Sequence, residues 1–133
     1  MSVFVDTSAI VAILLQEDGW EELVEKIEAD SRPTTGAVCL FEAGYALTRE
    51  RALSPLEAAR LINEFIERAG ILVSGFTVQM AEHAVSAREQ YGKGRHPAGL
   101  NFGDCLSYGA ARYLRASMLF VGEDFSRTDM PRA

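Results

Sequence analysis

Four acidic residues fall where a chain of this pattern turns from strand to helix or sits against one: Asp6, Glu42, Asp104 and Asp124. Asp6 follows the apolar run Val3-Phe4-Val5 and precedes Thr7-Ser8 and the helical stretch Ala9 to Leu15. Glu42 stands among Leu40, Phe41, Ala43, Tyr45, Ala46 and Leu47, where an unpaired carboxylate would cost several kcal/mol of desolvation. Asp104 closes the run Asn101-Phe102-Gly103-Asp104, and Asp124 lies just past the last apolar run. If the four converge, protonation or bound cations must relieve their repulsion. A cluster of oxygen donors without His or Cys suits Mg²⁺ or Mn²⁺ rather than zinc. Such an ion activates water and shields the charge that develops on a phosphodiester, so the chemistry implied is phosphodiester hydrolysis. Each acid also has a plainer reading. Asp6 caps a helix; Glu42 lies on a solvated stripe or pairs with Arg49 or Arg51; Asp104 favours a helix dipole by ~0.3–1 kcal/mol.

The elements that would bring these acids together alternate between short β-like runs and longer helical ones. Val3–Val5 reads as a buried strand with a helix through Leu15, and Gln16-Glu17-Asp18-Gly19 breaks it. Trp20 to Ala29 forms a second helix with Leu23, Val24 and Ile27 on one face. A short strand is expected around Thr34–Thr35 with Gly36 as a break, then a helix from Val38 to Arg51. Ser54-Pro55-Leu56-Glu57 is a helix start with a cap, a first-turn proline and a capping-box glutamate; that helix ends at Gly70. Ile71–Val73 is read as a strand, Thr77 to Tyr91 as a helix, and Gly92 to Gly99 as a basic loop. A helix then ends near Arg115, and Met118–Val121 is the last strand. Strands separated by helices predict an α/β fold, a three-layer α/β/α sandwich with a mostly parallel central sheet. One domain, 1–133, accommodates the whole chain.

Composition narrows the function classes. No apolar stretch reaches the roughly 18 residues of a membrane span, and no basic segment precedes the first apolar run as in a secretory signal. A cytoplasmic address is expected. Cys39 and Cys105 form neither a metal spacing nor a disulfide framework and read as small buried hydrophobes. A net charge of −6 excludes coating nucleic acid by bulk electrostatics. It leaves room for an acidic metal site with a local basic rim, for which Arg88, Lys93, Arg95 and His96 supply one cluster and Arg49 and Arg51 another.

Four motifs in order carry a resemblance over nearly the whole chain. They are Val3 to Ala9 with Asp6-Thr7-Ser8, Glu42 in its helix, Leu100 to Cys105, and Leu119 to Phe125 with Thr128-Asp129. In these the sequence resembles PIN domains, and specifically the ribonuclease toxins of VapBC-type toxin–antitoxin pairs. The resemblance implies a Mg²⁺-dependent endoribonuclease, with Mn²⁺ as a substitute, acting on RNA. Asp6, Glu42, Asp104 and Asp124 match the family's acidic quartet, Asp6 and Asp104 as the principal ligands. Glu123 and Asp129 are the nearby alternatives for the fourth acid. Ser8, Asn101 and Thr128 are implied as polar supports, and Lys93, Arg95 and His96 as contacts to the RNA backbone. The family further implies a VapB-type antitoxin partner and a homodimer, for which Trp20, Tyr45 and Leu47 are available as surface or core. Two other classes compete: a receiver- or phosphatase-like phosphoryl-transfer domain using Asp6, and a non-catalytic binding module. Against the phosphatase, no second aspartate stands two residues after Asp6. Against the receiver, there is no early acidic pair and no well-placed late lysine.

Overall fold

The computed structural model describes residues 2–133. Its sheet has four parallel strands, β1 (Val3–Val5), β2 (Thr34–Gly36), β3 (Leu72–Ser74) and β4 (Ser117–Leu119), in the order β3-β2-β1-β4. Around it lie α1 (Thr7–Leu14), α2 (Trp20–Ala29), α3 (Ala37–Arg51), α4 (Pro55–Ala69), α5 (Val78–Tyr91) and α6 (Phe102–Tyr113), with a 3₁₀ turn at Phe125–Arg127. Right-handed crossovers place α1 to α4 on one face and α5 and α6 on the other. The packing agrees, because α1 touches α2 and α3, α3 touches α4, and α5 lies along α6. This is the expected three-layer sandwich.

The order has a functional consequence. From β1 the chain steps outward to β2 and β3, then returns to lay β4 on the other side of β1. That reversal opens a crevice at the carboxyl ends of β1 and β4, where ligands of open α/β sheets bind. Phe4 and Val5 are wholly buried, so β1 is the centre of the core as well as one wall of the crevice. Asp6 extends the ladder by one bond, its N–H donating to the Leu119 carbonyl at 3.0 Å.

Two strands are offset from their sequence reading, each for a local reason. β3 begins at Leu72 because the Ile71 N–H is taken by the Ile66 carbonyl (3.1 Å), and Gly70 is left-handed with its N–H on Glu67 (3.2 Å). That pair of bonds closes the end of α4 and delays the ladder. β4 ends at Leu119 because β1 offers no partner further on; Val121 N–H turns instead to the Ser8 hydroxyl (3.0 Å). Gly36 completes β2 and caps α3 rather than breaking the chain before it. Leu47 is core, Trp20 is half-buried against it, and Tyr45 is exposed. No described helix is long and apolar enough to cross a membrane.

Candidate active site

Asp6 is 4 % exposed and caps α1. Its Oδ2 accepts from the Ser8 N–H (3.0 Å) and the Ser8 hydroxyl (2.6 Å), and Ser8 in turn accepts from Val121 N–H. One serine thus fixes the acid and ties the end of β1 to the segment after β4. Asp104 sits at the third position of α6 in a capping box. Its N–H donates to Asn101 Oδ1 (2.9 Å) and its Oδ2 accepts from Asn101 N–H (3.1 Å). Two helices therefore aim their N-terminal ends, with their partial positive charge, at the acids they carry.

Glu42 projects from α3 toward both. Its Oε1 accepts from the Thr7 hydroxyl at 2.6 Å. Its Oε2 lies where a side chain on residue 103 would begin: a Cβ on Gly103 would be 2.0 Å from it. Only glycine allows the carboxylate this close to the start of α6. Neither Arg49 nor Arg51 is its partner among the described residues. Each of these three carboxylates is held through one oxygen, while Asp6 Oδ1, Glu42 Oε2 and Asp104 Oδ1 take no protein donor among the described residues.

Asp124 is exposed on the loop after β4, just before the 3₁₀ turn. The other acids nearby are otherwise engaged. Asp129 accepts from Tyr108 and forms an ion pair with Arg112, which holds its carboxyl below the usual range despite burial pulling the other way. Glu123 receives the Ser126 hydroxyl. Asp104 registers the convergence. Its pKa is pushed up to about 6, first by burial and then by the charges of Asp124, Asp6 and Glu42, against the lowering effect of the Asn101 N–H.

Among the described residues no three Asp, Glu, His or Cys side chains close on a single point tightly enough to chelate an ion unaided. The acids surround the crevice instead of meeting. That looseness fits Mg²⁺, which keeps several waters and takes only one or two carboxylates directly. The all-oxygen donor set, the free oxygens and the mutual repulsion at Asp104 fit the same ion.

Thr128 donates to the Phe125 carbonyl (2.7 Å) and accepts from Met130 N–H (3.1 Å), so it shapes the turn behind Asp124 and touches no carboxylate. Thr7 holds Glu42, a role the sequence assigned to no residue; the signal was its place between Asp6 and Ser8. In the basic loop, Lys93 is exposed and without an ion-pair partner among the described residues. Arg95 pairs with Glu89 at 3.4 Å. His96 stands edge-on to the Tyr91 ring (5.1 Å between centroids), and its Nδ1 accepts from Ala98 N–H (3.0 Å). Cys39 and Cys105 are both buried and unbridged.

A family model described as PIN domain matches residues 3–130. A VapC ribonuclease of Rhizobium meliloti (strain 1021) is 37% identical over 139 residues, covering 96% of this chain and 98% of that protein. Ribonuclease VapC28 of Mycobacterium tuberculosis (strain ATCC 25618 / H37Rv) is 41% identical over 133 residues, covering 98% and 97%. Among solved structures, VapC20 of Mycobacterium tuberculosis, described as a sarcin-ricin loop cleaving toxin, gives a TM-score of 0.75 at 19% identity over 98% of each chain. DNA-bound VapBC from Salmonella typhimurium gives 0.73 at 20% identity, over 99% of this chain and 96% of that one. At those identities the two structures speak to the fold.

Proposed function

The chain belongs to the PIN-domain family, and on that premise we propose that it is a VapC-type, Mg²⁺-dependent endoribonuclease held silent by a VapB-type antitoxin. The observation that carries this reading is the arrangement at the β1–β4 crevice. Asp104 is raised there first by burial and then by the charges of Asp124, Asp6 and Glu42, which supports reading the four acids as one site. Membership in the family sets aside the receiver and phosphatase alternatives, and the intact quartet argues against a non-catalytic module. A single PIN domain over 1–133, a cytoplasmic address and a homodimer complete the proposal.

Asp6 and Asp104 are the principal holders of Mg²⁺, with Mn²⁺ as a substitute, and Glu42 and Asp124 complete the shell, partly through water. The bound ion supplies a more acidic water and shields the phosphodiester charge. The residues supply geometry. Ser8 orients Asp6, Asn101 orients Asp104 and Thr7 orients Glu42, each by gripping one oxygen and leaving the other toward the crevice. One carboxylate of the quartet would orient the water that attacks phosphorus in line and take its proton as the bridging oxygen departs. Thr128 supports Asp124 only indirectly, through the turn it braces. Lys93 meets the RNA backbone, with Arg95 and His96 as outer contacts whose present partners must yield.

The test is cleavage of a mixed RNA pool by antitoxin-free protein with Mg²⁺ or Mn²⁺, repeated with EDTA. Loss of an orienting partner typically costs 10–100-fold, so Asp6→Asn, which alters a ligand itself, should lose about 100-fold or more. Metal-independent cutting, or full activity in Asp6→Asn with the fold intact, would sink the proposed site.

A further inference from the structure

Phe102 is the most exposed large apolar side chain among the described residues, at 82 %. It is the first residue of α6, two positions before Asp104, so its exposure is at the edge of the candidate site. Beside it, between α5 and α6, runs a groove of about 610 Å³ lined by Val85, Arg88, Lys93, Asn101, Phe102 and Leu106 among others. That volume is in the ~300–1,000 Å³ range of sites for small organic groups. The floor is apolar and the rim carries two cations. Neither Arg88 nor Lys93 has an ion-pair partner among the described residues, in a chain of net charge −6. Groove and acids are continuous. Asn101 lines the groove and caps Asp104, and Cys105, the next residue of α6, lines the groove as well.

A second apolar groove of about 300 Å³ lies between α3 and α4, under Phe41 and Tyr45, but its lining holds no charged residue. It does not match a polyanion. The α5–α6 groove does, because it offers a flat aromatic face for a base and cations for the phosphates on either side.

We propose that this groove seats an unpaired RNA base adjacent to the scissile bond, stacked on Phe102, with the flanking phosphates held by Arg88 and Lys93. The proposal rests on the ribonuclease reading and deepens it: the substrate is single-stranded or splayed at the cut. Base–aromatic stacking tolerates any base, so Phe102 contributes affinity and placement rather than a sequence code.

The experiment measures binding of a fluorescein-labelled single-stranded RNA oligonucleotide of mixed sequence to Asp6→Asn protein, with and without Phe102→Ala or Phe102→Trp. Steady-state cleavage is followed in the Asp6 background, and sedimentation velocity is run on each variant. Phe102→Ala should weaken binding about tenfold or more, raise KM similarly and leave kcat nearly unchanged, while Phe102→Trp restores both. Unchanged affinity in Phe102→Ala, with cleavage by the parent intact, overturns the subsite and leaves the ribonuclease standing. Unchanged affinity with conversion of a dimer to monomer overturns it in favour of a contact between copies. If the parent cuts no RNA but the binding pattern holds, the ribonuclease reading fails and the stacking site stands.

Discussion

Asp104 carries the clearest electrostatic signature of the site, and its consequences follow from sign alone. Folding raises its pKa from 3.8 to about 6, through burial and then through Asp124, Asp6 and Glu42. Between those two values the folded chain holds a proton that the unfolded chain has released. The contribution of Asp104 to the stability of the metal-free protein therefore falls as pH rises through that window, and its cost is fully present above about 6. Asp104→Asn keeps the oxygen that caps Asn101 and removes the charge. The metal-free variant should unfold at a higher temperature than the parent at pH 7, and its Tm should fall less between pH 4 and pH 6. Thermal melts across that range in EDTA decide it; a variant with the parent's slope would show that Asp104 does not bear the repulsion. Asp104 was legible as an acid in the first turn of a helix, a local pattern, and Asn101 through the family resemblance; the capping box that joins them emerged only in the structure. Thr7 was not legible, because its bond to Glu42 spans 35 positions and depends on how α1 and α3 pack. Gly103 was passed over for the same reason: its importance lies in the Glu42 carboxylate from another helix.

At the scale of elements, the site depends on how firmly α6 is seated, since α6 carries Asp104 and Phe102. It lies so close to α5 that a Cβ on Gly109 would be 2.3 Å from the Met80 carbonyl oxygen and 3.0 Å from Ala84 N. Both obstacles are backbone, so nothing flexible can move aside and the helices must separate. Gly109→Ala should therefore destabilise by about 1–3 kcal/mol, as overpacking does, even though alanine favours helix. Chemical denaturation measures this directly; a neutral or stabilising result would mean that α6 is not packed at this distance. The helices themselves were readable from caps and periodicity, and Trp20–Ala29 and Pro55–Ala69 stand where the sequence put them. The strands were readable in order but not in register. Three residues give too little pattern to fix an edge, and β3 and β4 begin and end according to bonds made by Ile71 and Val121 elsewhere. The strand order across the sheet that creates the crevice was not legible, because crossover chirality fixes the face on which the helices lie and not which strands are neighbours.

Across the whole molecule, one question is whether a divalent cation acts at a site or merely screens a chain of net charge −6. Both effects raise stability, but they scale differently. Screening is shared by all exposed acids, saturates with ionic strength and is indifferent to any one residue. A site that binds only in the folded state adds RT ln(1 + [Mg²⁺]/Kd), about 2.7 kcal/mol at a hundredfold excess over Kd. For a chain of this size that corresponds to a rise in Tm on the order of 10 °C. Titrating Mg²⁺ at constant ionic strength, balanced with NaCl, removes the shared component and leaves the specific one. The parent should show a Tm that climbs with Mg²⁺, whereas Asp6→Asn should stay nearly flat. Asp6 is the right residue for this because it is buried, caps α1 and is tied by Ser8 to the segment after β4, so the ion would bridge both walls of the crevice. Equal rises in parent and variant would mean that the acids at the sheet edge are only part of a diffuse negative surface. That result would remove the physical basis for metal-dependent hydrolysis at this crevice.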